Sequence, residues 1–232
     1  MPLKITDYSD AILRDITCEV TKGEHRIILG DNGAGKTTLA RVLCGLIPSD
    51  HVDIDGINPS GSFGTARARK INYIPAKLEV FDTFLSVEAL LALSHFNTAL
   101  SIQSVLEMLQ ITHLRQQPCS RLSAGESQLV LTASALLHGA DYTLFDEPTA
   151  NLDPLRMREL FTLLRHDTHL ATKLIITHNL DLAYQLGFDV IYLKEGRIVF
   201  DGSSDAFFDQ AHLDALYGGS VQKHNGHVVV AL

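Results

Sequence analysis

Cysteine is scarce: Cys18, Cys44 and Cys119 are the three in 232 residues, and no two form a Cys-x-x-Cys pair. The odd, scattered set excludes a disulfide framework and a zinc knuckle and fits a reducing, cytoplasmic compartment. Long apolar runs are missing as well. No stretch approaches the roughly 18 consecutive apolar residues of a membrane-spanning helix, so any membrane role passes through a partner. Asp7 and Asp10 stand where a secretory signal would need an apolar run. Nor is there an excess of positive charge. The formal net charge of −8 argues against a nucleic-acid surface as the main partner. What is present is a chain of one-domain length, 46% hydrophobic and 20% charged, enough for a substantial core.

The most informative stretch is Gly30 to Thr38, GDNGAGKTT. It fits the phosphate-loop pattern of Gly, four residues, Gly-Lys, then Ser or Thr. Its context fits too: Arg26-Ile27-Ile28-Leu29 reads as a buried strand, and Leu39 to Cys44 as the continuation of a helix. The glycines allow a tight turn, so successive N–H groups of Asp31, Asn32, Gly33, Ala34 and Gly35 can point at one anion. The helix start adds its positive dipole end. Lys36 is placed to reach the outer phosphates of a nucleotide, and the Thr37 hydroxyl to bind Mg2+, with Thr38 following.

The rest of the chain reads as strands alternating with helices. Ile5 to Val20 suggests strands and a turn, with Tyr8 either an aromatic face for a nucleobase or an ordinary strand tyrosine. Gly45 sits where a helix C′ glycine would, and Pro48 follows. Val52 to Gly56 reads as a strand and turn, Gly61 to Lys70 as a solvated polar edge, and Ile71 to Ile74 as a strand stopped by Pro75. From Ser86 to Gln116 the apolar spacing is helical, so residues 77–120 read as an inserted helical unit. Leu122 to Glu126 reads as a loop before a helix, Tyr142 to Phe145 and Leu174 to Thr177 as short buried strands, and Pro154 to His166 as a helix. Val190 to Phe200 reads as a hairpin turning at Glu195-Gly196, and residues 205–232 as a tail with a second hairpin at Asn225-Gly226. His224 and His227 could face each other there and hold a metal, although histidines near a turn are usually solvated. Continuous apolar strands between helices imply an α/β fold with a mostly parallel sheet.

Asp146 and Glu147 follow an apolar strand. With a phosphate loop upstream, Asp146 is placed to hold Mg2+ and Glu147 to orient or deprotonate an attacking water. Taken together, these stretches resemble the ATP-binding subunit of an ABC transporter, collinearly from Tyr8 to His178. Tyr8 is similar to the adenine-stacking aromatic, Gly30 to Thr38 to Walker A, and Asp146-Glu147 to Walker B with its catalytic glutamate. Leu122 to Glu126, LSAGE, resembles the signature LSGGQ, and Gln128 continues it. Asn151-Leu152-Asp153 is similar to the D-loop and His178 to the switch histidine at the γ-phosphate.

The resemblance implies a P-loop NTPase with a small antiparallel β subdomain and a helical insert, all within one domain of residues 1–232. It implies ATP and Mg2+ as cofactors and a head-to-tail dimer with a second copy, in which Walker A of one copy meets Ser123, Ala124, Gly125 and Glu126 of the other. It also implies integral membrane permease subunits as partners, a place on the inner face of the cell membrane, and no nucleic acid. The signature, the short insert and the tail resemble importers of metal chelates such as iron-siderophore, haem or cobalamin. One departure stands out: Tyr73-Ile74-Pro75 is followed by Ala76, where the family usually has glutamine. Alternatives are a soluble ABC-type ATPase and a low-turnover regulatory nucleotide-binding subunit. Lys36→Ala, which removes the one cation inside the loop, is expected to abolish ATP binding; retained micromolar binding by calorimetry would contradict this.

Overall fold

The computed structural model describes residues 2–62, 64–150 and 152–230. The chain divides into two compact units, one formed by the residues up to Gly61 and from Leu174 onward, the other by Ser62–Lys173.

The first unit opens with β1 (Pro2–Tyr8), β2 (Ile16–Thr21), β3 (Arg26–Gly30), α1 (Lys36–Leu43) and β4 (Val52–Ile54). β1 lies between β2 and β4, antiparallel to both. Leu3, Ile5 and Tyr8 face the core, and an irregularity between Ile5 and Tyr8 breaks the register. β3 differs: Ile27, Ile28 and Leu29 are consecutive and all buried, as expected for a parallel strand covered on both faces.

The second unit contains α2 (Thr65–Lys70), β5 (Ile71–Ile74), α3 (Val87–Ser94), α4 (Ile102–Met108), α5 (Ala124–His138), β6 (Tyr142–Asp146) and α6 (Pro154–His166). β5 and β6 run parallel, with Ile71 opposite Tyr142 and Ile74 opposite Phe145. α5 carries the core of this unit, burying Leu129, Val130, Ala133, Leu136 and Leu137 among others. The chain after α3 docks on its end, where the Phe96 N–H donates to the Leu137 carbonyl at 3.0 Å and the Asn97 N–H to the His138 carbonyl at 3.1 Å.

The first unit resumes with β7 (Lys173–Thr177), α7 (Leu180–Leu186), β8 (Asp189–Lys194), β9 (Arg197–Gly202), α8 (Ser204–Phe207), α9 (Gln210–Tyr217), β10 (Val221–His224) and β11 (His227–Val230). β3 runs between β7 and β8, parallel to both. β9 returns antiparallel to β8, so the sheet is mostly parallel, as the apolar strands imply.

Two sequence expectations need correction. The polar stretch before Lys70 is not only a solvated edge, because Thr65–Lys70 forms α2; none of its residues is buried, so the helix rests on propensity and not on an apolar face. The LSAGE segment is not wholly a loop either. Ala124, Gly125 and Glu126 are the first turn of α5, with Ser123 as N-cap. Cys44 and Cys119 are buried, and Cys18 is partly exposed; none of the three is in a disulfide. Desolvation pushes the Cys18 thiol up to about 12 and raises that of Cys119.

The terminal hairpin is fastened to α7. His224 and His227 do pair across it, but His227 turns to Asp181, its Nδ1 lying 3.1 Å from Oδ2. The Val228 N–H donates to Asp181 Oδ1 at 2.9 Å, and the Gln185 amide donates to the Gly226 carbonyl. Among the described residues no group of three metal-ligating side chains is found. Asp181→Ala therefore removes the acceptor of two contacts. It is expected to lower stability by about 1–2 kcal/mol and to speed amide exchange at Val228; an unchanged urea midpoint and exchange rate would refute the fastening.

Candidate nucleotide site

The phosphate loop starts where β3 ends. The Ala34 N–H donates to the Asp31 carbonyl at 3.1 Å, closing a tight turn. Lys36, only 7% exposed, points back along the loop, its ammonium donating to the Gly30 carbonyl at 2.7 Å and the Asp31 carbonyl at 3.0 Å. A cation taken from water needs such partners. Gly35, at φ 102°, is the N-cap of α1 and offers no side-chain cap, and the first turn carries no acidic residue. The positive end of the α1 dipole lies at this turn, where an anion is favoured. Asp31, Asn32, Gly33 and Thr37 are exposed, and Ala34 is buried.

A brace holds this loop from behind, and it was not read from the sequence. Asp10 Oδ1 accepts the N–H groups of Ile12 and Leu13, both at 2.7 Å, and Oδ2 accepts the Tyr8 hydroxyl at 2.9 Å. Burial alone would raise the Asp10 carboxyl, but these donors outweigh it and hold it below its ordinary value. Burial and Asp10 together push the Tyr8 phenol up to about 12. Leu13 packs so close that a Cβ on Gly35 would meet its Cδ2 at 2.6 Å. Gly196, in the β8–β9 turn, joins the brace to the loop. Its N–H donates to the Ala34 carbonyl at 3.2 Å, and its carbonyl accepts the Arg14 N–H at 2.8 Å. Tyr8 itself is buried, its ring edge-on to His51 with centroids 5.9 Å apart. His178 is exposed directly after β7 and before Asn179, the N-cap of α7.

In the second unit, Asp146 ends β6 with its side chain in the protein, 4% exposed. The Tyr73 hydroxyl of β5 donates to its Oδ2 at 2.7 Å. Glu147 follows at φ 48°, a left-handed conformation uncommon for a non-glycine residue, of the kind that clusters at functional sites. The signature residues form a capping box: the Ser123 hydroxyl accepts the Glu126 N–H at 3.2 Å, and the Glu126 carboxylate accepts the Ser123 N–H at 2.8 Å. Those bonds hold the Glu126 carboxyl below its ordinary value. Ser123 and Ala124 remain exposed. Gln128 is buried, and its amide donates to the carbonyl of Ala76. Leu152 and Asp153 precede α6, with Asp153 as its N-cap; Asn151 lies outside the described residues.

Known proteins share the sequence pattern and the fold. Residues 13–150 match the family described as ABC transporter. A probable ABC transporter ATP-binding protein of Azorhizobium caulinodans is 32% identical over 220 residues, covering 90% of this chain and 78% of that protein. The zinc import ATP-binding protein ZnuC of Yersinia pseudotuberculosis is 32% identical over 233 residues, covering 96% of this chain and 88% of that one. The solved structure of cbiO1 from Clostridium perfringens, part of the transporter complex cbiONQ, has a similar fold, with a TM-score of 0.74 at 24% identity over 93% of this chain and 95% of that one. An inward-facing putative metal-chelate type ABC transporter gives a TM-score of 0.78 at 20% identity over 100% of this chain and 98% of its own.

The brace makes a test of the loop. A Cβ on Gly196, at φ 77°, would lie 1.9 Å from the Ile12 carbonyl oxygen. Gly196→Ala is expected to destabilise the fold by about 2 kcal/mol or more and to weaken ATP binding measured by calorimetry. Gly187→Ala, at φ 68° with nothing within 4 Å, should show the backbone cost of about 1 kcal/mol alone and bind ATP normally. Equal effects of the two variants would rule out the brace.

Proposed function

The chain belongs to the ABC transporter family as an ATP-binding, ATP-hydrolysing subunit, and from that premise we propose that it powers import of a metal ion or metal chelate. The observation that carries the nucleotide part is Lys36, buried and turned onto the carbonyls of its own loop ahead of an uncapped helix. Such a loop receives the phosphates of ATP. Mg2+, when bound, neutralises phosphate charge. The donors assigned to it, the Thr37 hydroxyl and the Asp146 carboxylate, are hard oxygens of the kind this ion prefers. Glu147, next along the chain, then orients the attacking water and accepts its proton. His178 contacts the γ-phosphate.

Two copies close head to tail on ATP. Exposed Ser123 and Ala124, at the start of α5, support this, because a helix N-terminus at the surface can meet the phosphates held by another copy. Hydrolysis reopens the pair and so couples chemistry to motion.

The permease docks on the second unit, at a cavity of about 580 Å³ lined by Ala76, Leu78, Val80, Leu122 and Gln128 among others. Phe81 and Phe84, 97% and 87% exposed, stand on the same segment; phenylalanines so open to water are expected to be covered by a partner. Among the described residues no helix is long and apolar enough to cross a membrane, so this docking is what places the chain on the inner face of the membrane. The cargo class rests on relatives: ZnuC is named for zinc import, and a structural neighbour is described as of metal-chelate type. Ala76 favours the second reading, a subunit of low intrinsic turnover, because alanine cannot bind a metal-linked water. Phosphate release measured with and without the permease separates the two.

Glu147→Gln is expected to slow steady-state phosphate release roughly a hundred-fold or more and to accumulate an ATP-bound dimer, read by light scattering. Turnover at the parent rate would remove Glu147 as the base.

A further inference from the structure

We infer that Tyr73 is a positioning residue for the metal carboxylate, orienting Asp146 from the neighbouring strand β5. The inference rests on the reading of Asp146 as a Mg2+ ligand.

The geometry is specific. β5 and β6 run parallel with Tyr73 opposite Leu144, two residues short of Asp146. The ring spans that offset, and the hydroxyl donates to Asp146 Oδ2 at 2.7 Å. A phenol bonded to a carboxylate is a short, charge-assisted contact, and here the acceptor is almost fully buried. A carboxylate has about four lone-pair sites. The bond from Tyr73 engages one of these on Oδ2 and restrains how the carboxylate can turn. Groups that hold a metal ligand in orientation act on metal affinity although they never touch the ion.

The same strand is anchored at its far end. Past Ile74 and Pro75, the Ala76 carbonyl receives the Gln128 amide from α5. Gln128 lies one turn beyond Ser123, the cap of the signature helix. Residues 73–76 thus carry a side-chain bond to the Walker B carboxylate at one end and a backbone bond to the signature helix at the other. Substituting alanine for glutamine removes a side chain from this segment but leaves both bonds in place. Tyr73 is the residue of the segment whose side chain still reports on the metal carboxylate.

The test is Tyr73→Phe in the full chain, which deletes the hydroxyl and keeps the ring. Binding of a fluorescent ATP analogue is measured in EDTA and across a Mg2+ titration, beside the Mg2+ dependence of phosphate release and the thermal midpoint without nucleotide. The expected result is parent-like binding in EDTA, a midpoint lowered by a few degrees because a buried carboxylate loses a donor, and a Mg2+ requirement raised roughly ten-fold. Asp146→Asn should abolish the Mg2+ effect on binding, and Tyr73→Phe added to it should change nothing further. An unshifted Mg2+ titration in Tyr73→Phe overturns the inference while leaving the metal reading intact. An unshifted titration in Asp146→Asn overturns the metal reading itself. Loss of EDTA binding in Tyr73→Phe, in step with the loss of stability, overturns the positioning role in favour of a purely structural one.

Discussion

The Lys36 ammonium, held by the carbonyls of Gly30 and Asp31, is the interaction on which the site depends. A lysine only 7% exposed stays folded inward because its charge is solvated by backbone dipoles in place of water. Those carbonyls are in position only because β3 ends and turns into α1 within a few residues. The turn in turn depends on the brace of Asp10, Leu13 and Gly196 behind it. Sheet, turn and side chain are thus one construction: β3 is pinned between β7 and β8, and its end delivers a preorganised cradle for negative charge.

The other residues proposed for the chemistry follow the same rule of placement. Asp146 ends β6, His178 follows β7, and the phosphate loop follows β3. Each lies at the carboxyl end of a parallel strand, where open α/β sheets carry their chemistry. The buried strands are rigid, and the residues just beyond them are where unusual backbone is tolerated. Glu147, at φ 48° directly after the buried strand β6, is such a residue.

How much of this was legible follows from what each feature leaves in local sequence. Consecutive apolar residues such as Ile27-Ile28-Leu29 and Leu174-Ile175-Ile176 marked the parallel strands, and fixed spacing marked the phosphate loop. α6 was readable from its Pro154 start and its periodic leucines. α2 was not, because a helix without a buried face has no periodicity to detect; the signal there was the propensity of Ala66, Arg67, Ala68 and Arg69. The early start of α5 was in principle visible, since Ser123 and Glu126 form the S-x-x-E pattern of a capping box. α8 and α9, read from sequence only as part of a tail, carried the same kind of signal in their caps, Ser203 and Asp209. The brace and the Tyr73–Asp146 bond left no such trace. Gly196 meets Ile12, and Tyr73 meets Asp146, across separations that no short motif spans; only the folded sheet brings them together.

The thiols carry a practical consequence. Cys44 and Cys119 are buried, and Cys18, though partly exposed, has its thiol pushed up to about 12, so almost none of it is the reactive thiolate at neutral pH. With the partly exposed Cys18 replaced, the chain is a quiet background for maleimide or nitroxide chemistry. A single reporter cysteine at an exposed position outside the proposed site, such as Thr168, can then carry a spin label while the two buried thiols stay in place. The proposed closure of two copies would be read as a change in the distance between labels.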